Sequence, residues 1–392
     1  MSLQGAEPTR VAVVAGELSG DALAAGLMRE LAQRRPSVRF EGIGGPRMAE
    51  QGLESLVPME ALSLMGITEV LRHLPRLLQL RRELVRRWIA EPPAVFIGVD
   101  LPDFNLGLER RLRRSGVPAV HYVSPTVWAW RRGRIRGIRR SVDCMLTLYP
   151  FEQAFYARSG LDAVCVGHPA ADRYPLVPDQ GEARRALGLP EEGEVVALLP
   201  GSRRSEVERL GEPFAEAAAR LATRPSAPRF VVPVAQEALR DPIEGYLHRA
   251  GVRERCWLLD GDAPRGLVAS DFVLTTSGTA TLEALLAKRP MVSAYRLAPL
   301  TFYIVRWLIQ VSWSSTPNLL AGEELVPERF QDEVTGEGLA AIAAEWLDDP
   351  GRCRRLQERF TQLHRTLARG ADARAAEAVA AFLPEDVPAE AS

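Results

Sequence analysis

The chain has 392 residues, a formal net charge of −1 and 46% hydrophobic residues, a composition typical of soluble α/β proteins. This length favours two domains, each large enough to bury its own core. A balanced charge and a pI near 6.6 argue against a dedicated nucleic-acid-binding protein.

The cysteines and the N-terminus bear on the compartment. Four cysteines lie too far apart to form a C-x-x-C pair, so neither a zinc knuckle nor a redox motif is predicted. The run Val11–Ala15 is too short for a signal peptide, and no uncharged apolar stretch of about 18 residues is present to span a bilayer. We therefore expect a cytoplasmic protein with reduced thiols, whose membrane contact is peripheral.

The first segment, VAVVAGELSGDALAAGLMREL, predicts a buried strand, a glycine-containing turn and a helix. Four residues of the turn are candidates for binding a hydroxyl or phosphate of a ligand: Glu17, Ser19, Gly20 and Asp21. A tight turn with a serine cap explains the same residues equally well.

Arginine is concentrated in the N-terminal half, where sixteen arginines stand against six acidic residues between Glu69 and Arg140. This imbalance predicts a face that meets something anionic, either a phosphate or an acidic membrane surface. Residues 58–88 also form a leucine-rich stretch flanked by arginine, which is typical either of an interfacial helix or of core packing.

The segment FIGVDLPDFN places Asp100 at the carboxyl end of a buried strand, where doubly wound folds hold reactive groups. We interpret Asp103 as the N-cap of the next helix, which runs from about Phe104 to Arg114. Asp100 precedes that helix, so capping does not account for it.

The segment HYVSPTVWAWRRGRIRGIRR combines Trp128 and Trp130 with six arginines. Aromatic and basic residues together can indicate nucleic acid, but the spacing is not that of an RNA-recognition sheet. We expect no nucleic-acid partner and interpret the segment as solvated arginine beside buried tryptophan.

Short apolar strands alternate with helices along the chain, which predicts parallel sheets covered on both faces. The proline-rich, charged segment 168–194 interrupts this alternation. The predicted fold is therefore α/β, with two Rossmann-like doubly wound domains facing a central cleft. We predict domains at residues 1–170 and 190–370, the second ending in Ala- and Arg-rich helices, and a C-terminal helix and tail at 371–392.

In the second domain, LLPGSRRSEVERL again predicts a strand, a glycine turn and a helix. Ser205 and Glu208 fit an S-x-x-E capping box, which would start the helix at Ser205. In the loop before it, Gly201, Ser202 and Arg203 are candidates for binding a diphosphate, with Arg203 neutralising charge on the leaving group.

The segment FVLTTSGTATLEALLAKRP predicts a buried strand that delivers Ser277, Gly278 and Thr279 to a helix start, where free N–H groups favour phosphate. Simple capping by Ser277 is the alternative, but Ala280 stands where a capping box needs an acid or amide. Glu283, one turn further on, is then free to accept the hydroxyls of a ribose.

Missing motifs exclude other classes. The single lysine, Lys288, follows no glycine-rich turn, so no Walker A motif is present, and G-x-G-x-x-G is also absent. The D-x-D of Asp260 and Asp262 has no partner ligands in sequence, so we interpret it as a turn and predict neither metal nor cofactor. A second apolar stretch, residues 300–313, is typical either of a helix that lies in a membrane interface or of packing in the protein core or between the domains.

Ten motifs together resemble the lipid-A-disaccharide synthase family, a group of GT-B glycosyltransferases, and occur in that family's order between residues 15 and 331. They are AGELSGD, GIGGPRM, LMGITEVL, DLPDFN, HYVSPTVWAWR, GHPAAD, LLPGSRRSEV, SGTATLEALL, PMVSAYR and TPNLLAGEELVPERFQ. The WSST preceding Pro317 is more polar than the family pattern.

The resemblance implies transfer of 2,3-diacylglucosamine from its UDP derivative to the 6-hydroxyl of 2,3-diacylglucosamine 1-phosphate, with inversion and release of UDP. By matching motif positions, Asp100 resembles the general base. The residues that resemble the family's donor-binding set are Arg203, Ser277, Thr279, Glu283, Asn318 and Gln331.

The implied partners are the two lipid substrates and the anionic inner face of a Gram-negative inner membrane. Three alternatives stay open: a GT-B glycosyltransferase with a soluble acceptor, a UDP-sugar epimerase of the same two-domain plan, and a non-catalytic UDP-sugar-binding regulator. The sequence also leaves open whether the chain forms a homo-oligomer.

Overall fold

The computed structural model describes residues 8–62, 67–130, 132–298 and 311–385. The chain forms two compact units, unit 1 with residues 1–172 and 367–392, and unit 2 with residues 173–366. Each unit is an α/β layer structure on a parallel sheet.

Unit 1 contains a twisted parallel sheet with the described strands in the order β3-β2-β1-β4-β5-β6-β7. These are β1 (Thr9–Ala15), β2 (Val38–Ile43), β3 (Leu53–Ser55), β4 (Val95–Val99), β5 (Ala119–Tyr122), β6 (Cys144–Thr147) and β7 (Asp162–Cys165). The chain moves outward from β1 to β3 and then returns to β4 on the other side of β1. This reversal between β1 and β4 is the topological switch point where doubly wound sheets bind ligands.

Helices cover both faces of this sheet. They are α1 (Leu18–Arg34), α2 (Pro46–Glu50), α3 (Ile67–Ala90), α4 (Pro102–Arg114), α5 (Val127–Trp130), α6 (Ile135–Arg139), α7 (Pro150–Ala157) and α8 (Pro169–Arg173). Along β1, Val13 packs in the cluster that contains Leu27 of α1, whereas Val14 packs in the cluster that contains Trp88 of α3 and Leu108 of α4. Alternate residues of the strand therefore point into two cores.

Unit 2 contains the described strands in the order β10-β9-β8-β11-β12-β13. They are β8 (Val195–Leu199), β9 (Arg229–Val234), β10 (Cys256–Asp260), β11 (Phe272–Thr276), β12 (Met291–Tyr295) and β13 (Glu328–Phe330). Here the order reverses between β8 and β11. The loops after these two strands are the ones that the sequence singled out for phosphate.

The helices of unit 2 lie between residue 173, where the chain leaves unit 1, and residue 366, where it returns to unit 1. They are α9 (Gln180–Ala186), α10 (Arg204–Leu221), α11 (Arg240–Arg249), α12 (Ala263–Ala269), α13 (Thr279–Leu286), α14 (Thr316–Ala321), α15 (Gly336–Leu347) and α16 (Pro350–Leu367). One further helix, α17 (Ala371–Ala380), packs against α1 in unit 1 rather than extending unit 2. The predicted division at 370 and 371 did not anticipate this return.

The alternation of strands and helices predicted from sequence is confirmed, and α4 begins two residues earlier than expected, at Pro102. The four cysteines are free thiols. In the described part of the chain no helix is long and apolar enough to cross a bilayer. Most of the apolar stretch 300–313 lies outside the described residues.

Candidate active site

Asp100 directly follows β4, at the switch point of the unit 1 sheet. Its backbone N–H donates to the carbonyl of Tyr122, 2.8 Å away, which extends the pairing of β4 with β5 by one residue. Both Asp100 and Leu101 then adopt the left-handed region, with φ of 52° and 47°. Two successive non-glycine residues in this region are strained, and such strain concentrates at functional sites.

A fully buried asparagine holds this strained turn. The carboxamide nitrogen of Asn105 lies 2.8 Å from the carbonyl oxygen of Asp100, 3.3 Å from that of Val99 and 3.4 Å from that of Val14. These carbonyls belong to the ends of β1 and β4 and to the turn itself. Asn105 therefore ties the position of Asp100 to the two strands at the switch point.

Beneath the turn lies a buried, hydrogen-bonded pair of side chains. Nδ1 of His121 on β5 is 2.6 Å from Oε1 of Glu109 on α4, and both side chains are fully inaccessible. Burial raises the pKa of Glu109, while the charge of and hydrogen bond from His121 oppose the rise. A hypothetical Cβ at Gly98 would lie 2.2 Å from the Glu109 carboxylate, so the pair fits only beneath a glycine. His121 is thus an internal group that a substrate hydroxyl does not reach.

The predicted role of Asp103 as N-cap of α4 is wrong. The N-cap position is Leu101, and Asp103 lies inside the first turn with its carboxylate 2.7 Å from Arg134 and 85% of its side chain exposed. Proline at the first helical position starts the helix without a side-chain cap, because its missing N–H needs no partner.

The four candidate residues in the turn after β1 differ in exposure: two are buried and two are exposed. Asp21 is fully buried and accepts hydrogen bonds of 2.9 to 3.1 Å from the N–H groups of Gly45, Arg47 and Met48. Its carboxylate therefore caps α2 from within the core, and its contact with a ligand stays a prediction. Gly20 is also buried, which leaves Glu17 and Ser19 as the exposed candidates.

The glycine turn after β8 is built differently from the predicted capping box. α10 begins at Arg204, and the Glu206 carboxylate accepts from the N–H groups of Ser202, at 2.9 Å, and Arg203, at 3.2 Å. Glu208 instead pairs with Arg204, 3.0 Å away, so the predicted start at Ser205 is wrong. Arg203 itself remains 76% exposed.

Gly201 explains why the helix starts early. Its φ of 135° lies in the region that favours glycine, and an added Cβ would come within 2.4 Å of the Glu206 Cβ. The chain therefore turns sharply after β8 and brings Glu206, not Glu208, over the loop amides.

The segment after β11 leaves a helix start open. Gly278 is the N-cap of α13, has a φ of 124° and receives no side-chain cap, while Thr279 is exposed. The Ser277 hydroxyl donates to the carbonyl of Ser314 rather than capping α13, which confirms that simple capping does not explain this serine. A Cβ added at Gly278 would meet nothing within 4 Å, so the space beside this helix start is open.

Glu283 lies one turn into α13 and is partly buried. Burial raises the pKa of its carboxyl group, and the charge of Arg173 opposes the rise. The hydroxyl of Tyr174 is buried and has no hydrogen-bond partner in the described part of the chain. Burial, with further contributions from Glu283 and Asp262, raises its pKa far above the usual tyrosine range. Sequence reasoning missed Arg173 and Tyr174, although they directly follow the GHPAAD motif.

Asn318 and Gln331 are occupied by the protein itself. The fully buried carboxamide of Asn318 makes four hydrogen bonds, donating to Val326 and Glu328 and accepting from the N–H groups of Leu325 and Val326. A direct contact of Asn318 with the donor, which the family resemblance implies, would replace one of these four hydrogen bonds. Gln331 pairs through both carboxamide atoms with the backbone of Leu297, at 2.7 and 3.1 Å.

The polar WSST segment has a structural reason. The Glu328 carboxylate accepts from the N–H and hydroxyl groups of both Ser314 and Ser315, at 2.7 to 3.2 Å. Together with Asn318 these bonds fix the loop that receives the Ser277 hydroxyl. In the D-x-D, the carboxylates of Asp260 and Asp262 pair with arginines.

The chain is similar to known proteins both in sequence and in fold. The sequence model described as lipid-A-disaccharide synthetase matches residues 11–380. A lipid-A-disaccharide synthase of Alkalilimnicola ehrlichii is 57% identical over 374 residues, covering 95% of this chain and 98% of that protein. Another, from Pseudomonas putida KT2440, is 53% identical over 375 residues, with 96% and 98% covered.

Two solved structures resemble the fold at low identity. The glycotransferase of kitacinnamycin has a TM-score of 0.63 at 18% identity, covering 97% of this chain and all of that one. A UDP-GlcNAc 2-epimerase from Neisseria meningitidis bound to UDP-GlcNAc has a TM-score of 0.65 at 11% identity, with 95% and 100% covered. These likenesses establish the GT-B class of fold.

Proposed function

The chain belongs to the lipid-A-disaccharide synthetase family, and from that membership we propose that it transfers 2,3-diacylglucosamine from UDP-2,3-diacylglucosamine to the 6-hydroxyl of 2,3-diacylglucosamine 1-phosphate. The products are the β-1′,6-linked disaccharide 1-phosphate and UDP. The family assigns the chain to the glycosyltransferases of lipid A synthesis; the substrates and the inversion are the proposal.

Asp100 acts as the general base in this proposal, and its strained, clamped turn is the observation that carries the assignment. An alcohol attacks an anomeric carbon efficiently only if its proton is removed as the new bond forms. A carboxylate needs for this only a fixed position at the ligand-binding edge of the sheet. Asn105 supplies that fixation through three carbonyls.

Unit 2 holds the donor. The open N-terminus of α13 at Gly278 and Thr279 offers unpaired N–H groups and a favourable dipole to the diphosphate. The Glu283 carboxylate, one turn on, accepts the ribose hydroxyls. The exposed guanidinium of Arg203 stabilises the charge that develops on UDP as it departs.

Asn318 and Gln331 contribute indirectly. Asn318 shapes the loop that binds the Ser277 hydroxyl, and Gln331 fixes the backbone after β12 at Leu297. We assign both residues to positioning rather than to contact with the donor.

The lipid substrates also call for a membrane surface, and we assign peripheral binding to the inner face of the inner membrane. On α3, Leu84, Val85 and Trp88 are buried in the unit 1 core, whereas four of the arginines are exposed. The exposed arginines are Arg76, Arg82, Arg86 and Arg87. Sedimentation with phosphatidylglycerol vesicles should recover the protein at low salt and lose it at high salt, because surface charge attraction is screened.

Product analysis tests the reaction and separates the alternatives. With UDP-2,3-diacylglucosamine and the monosaccharide 1-phosphate, the protein should form disaccharide phosphate and UDP in equal amounts. Release of a changed UDP-sugar without acceptor would indicate an epimerase, and binding without turnover would indicate a regulator. Transfer to a water-soluble sugar but not to the lipid would indicate another acceptor.

A further inference from the structure

A concave site of about 370 Å³ lies on the flank of α4 in unit 1, separate from the turn of Asp100. Its lining runs from Pro102 down the first turns of α4 and across to the segment at α6, and it includes Gly107, Arg110, Arg134 and Gly137. The volume falls within the range of about 300 to 1,000 Å³ typical of small-ligand sites. Glycines on both walls keep the site open.

The charge of this site is predominantly positive. Arg110 and Arg134 line it, and Nη1 of Arg81 lies 3.5 Å from the Asp103 carbonyl and within 2.4 Å of where a Cβ on Gly107 would stand. Asp103 is the one acidic group among the lining residues that the structure describes, and Arg134 already pairs with it. Within the described parts of the chain, no ion pair joins Arg110 or Arg81 to a carboxylate.

Two of these arginines carry buried groups without partners. The Nε atoms of Arg110 and Arg81 are inaccessible to solvent and have no hydrogen-bond partner among the residues that the structure describes. Burial first, and then the charges of Arg111 and Arg82, lower the pKa of Arg81. Buried guanidinium N–H groups are costly until an acceptor reaches them, and a planar guanidinium fits a phosphate in a two-pronged fashion.

We propose that this α4 pocket binds a phosphomonoester, namely the 1-phosphate of the acceptor, with Arg110 and Arg134 as its ligands and Arg81 adding charge. The inference rests on the proposed function, because it assumes that the acceptor 6-hydroxyl meets Asp100. One hexose ring separates that hydroxyl from the phosphate on C1. The lining of the pocket begins at Pro102, the first residue of α4 and two residues along the chain from Asp100, so the pocket and the turn of Asp100 share this helix start.

The test measures discrimination between acceptors that differ only in the phosphate. Wild-type protein should use 2,3-diacylglucosamine 1-phosphate with a lower KM than its methyl glycoside. Arg110→Ala and Arg134→Ala should raise the KM for the phosphorylated acceptor roughly tenfold or more, the scale of one charge-assisted bond, and leave the methyl glycoside unaffected. Arg114→Ala is the matched control, since Arg114 is exposed on the same helix outside the pocket and should change neither KM.

A second variant should change the KM for the phosphorylated acceptor in the opposite direction. Asp103→Asn removes the carboxylate that competes for Arg134, so the KM for the phosphorylated acceptor should fall while that for the methyl glycoside stays the same. Folding damage cannot produce a tighter KM for one acceptor only. An unchanged or raised KM for the phosphorylated acceptor in Asp103→Asn would overturn the assignment of Arg134.

The failures of the two proposals are distinguishable. If wild-type protein forms no disaccharide, the proposed function is wrong and the pocket loses its ligand. If it forms disaccharide but Arg110→Ala retains the full preference for phosphate, the pocket assignment alone is wrong. If Arg110→Ala and Arg134→Ala reduce binding to phosphatidylglycerol vesicles and leave the preference intact, the ligand is a lipid headgroup instead, which also overturns the proposal.

Discussion

The carboxamide nitrogen of Asn105 lies 2.8 Å from the carbonyl oxygen of Asp100, and this bond joins the first turn of α4 to the turn of the proposed base. The same nitrogen reaches the last residue of β4 and the penultimate residue of β1. One buried side chain thus fixes a backbone conformation that non-glycine residues rarely adopt.

Asn105→Ala should loosen that turn and reduce turnover while leaving UDP affinity unchanged. The loss of a buried donor to three carbonyls should lower the free energy of unfolding by about 1 to 3 kcal/mol. Asn318→Ala is the matched control, since Asn318 is equally buried in unit 2 and should cost similar stability but raise the KM for donor rather than lower kcat. Denaturant unfolding and steady-state kinetics measure both. Equal loss of kcat in the two variants would contradict the clamp.

Glu283→Gln should weaken UDP binding, because it removes the charge that strengthens hydrogen bonds to the ribose hydroxyls. The expected loss is about 1.5 to 3 kcal/mol by calorimetry. Burial raises the pKa of Glu283, so its carboxylate should become protonated at a pH above the ordinary glutamate range. Wild-type UDP affinity should therefore already decline as the pH falls into that region, and the Glu283→Gln variant should lack this decline. Glu324→Gln, an exposed glutamate of the same unit, should bind UDP normally. Equal UDP affinities in all three proteins would make Glu283 structural.

Glu152 should make the stability of the protein depend on pH. Burial raises its pKa from 4.5 to about 7, against the hydrogen bonds from Tyr149, Trp128 and Ser124. Between pH 4.5 and about pH 7, the Glu152 carboxyl group is therefore protonated in the folded state and ionised in the unfolded state. The resulting stabilisation is complete below about pH 4.5 and is lost as pH rises to 7, roughly 3 kcal/mol at about 1.36 kcal/mol per pH unit.

The measurement is the free energy of unfolding from pH 5 to pH 8. Glu152→Gln should flatten the decline across this range, whatever its effect on absolute stability. Glu254→Gln, at an exposed position in unit 2, should retain the wild-type slope. A wild-type slope in Glu152→Gln would assign the pH dependence to another group.

Local sequence was sufficient to predict the strands and the position of Asp100. Apolar runs end at glycine or at polar residues, so the place of Asp100 at the carboxyl end of β4 follows from periodicity. Its proposed role as the base rests on the family resemblance. The left-handed backbone did not follow, because Leu101 carries no signal for a positive φ. That conformation depends on Asn105, whose three carbonyl partners come together only in the folded sheet.

Other features depend on contacts between distant parts of the chain. Glu206 and Glu208 of α10 could each supply the acid of a capping box. The sharp turn at Gly201 brings Glu206, rather than Glu208, to the loop amides. α17 returns to unit 1 because Ala371, Ala375 and Val379 are buried in the unit 1 core cluster. The Asp372 carboxylate adds an ion pair with Arg29 of α1, 3.0 Å away. Neither choice has a local signature.

The most direct test of the account is the turnover of Asp100→Asn with the diacylated donor and acceptor. Asparagine preserves the shape of the side chain but cannot accept the proton of the attacking hydroxyl. The account predicts a kcat about 100-fold or more below wild type, the usual scale for loss of a general base, with UDP affinity and unfolding free energy near wild-type values. A kcat within a few-fold of wild type would contradict it and would move the base to Glu17 or Asp103, which are exposed in unit 1.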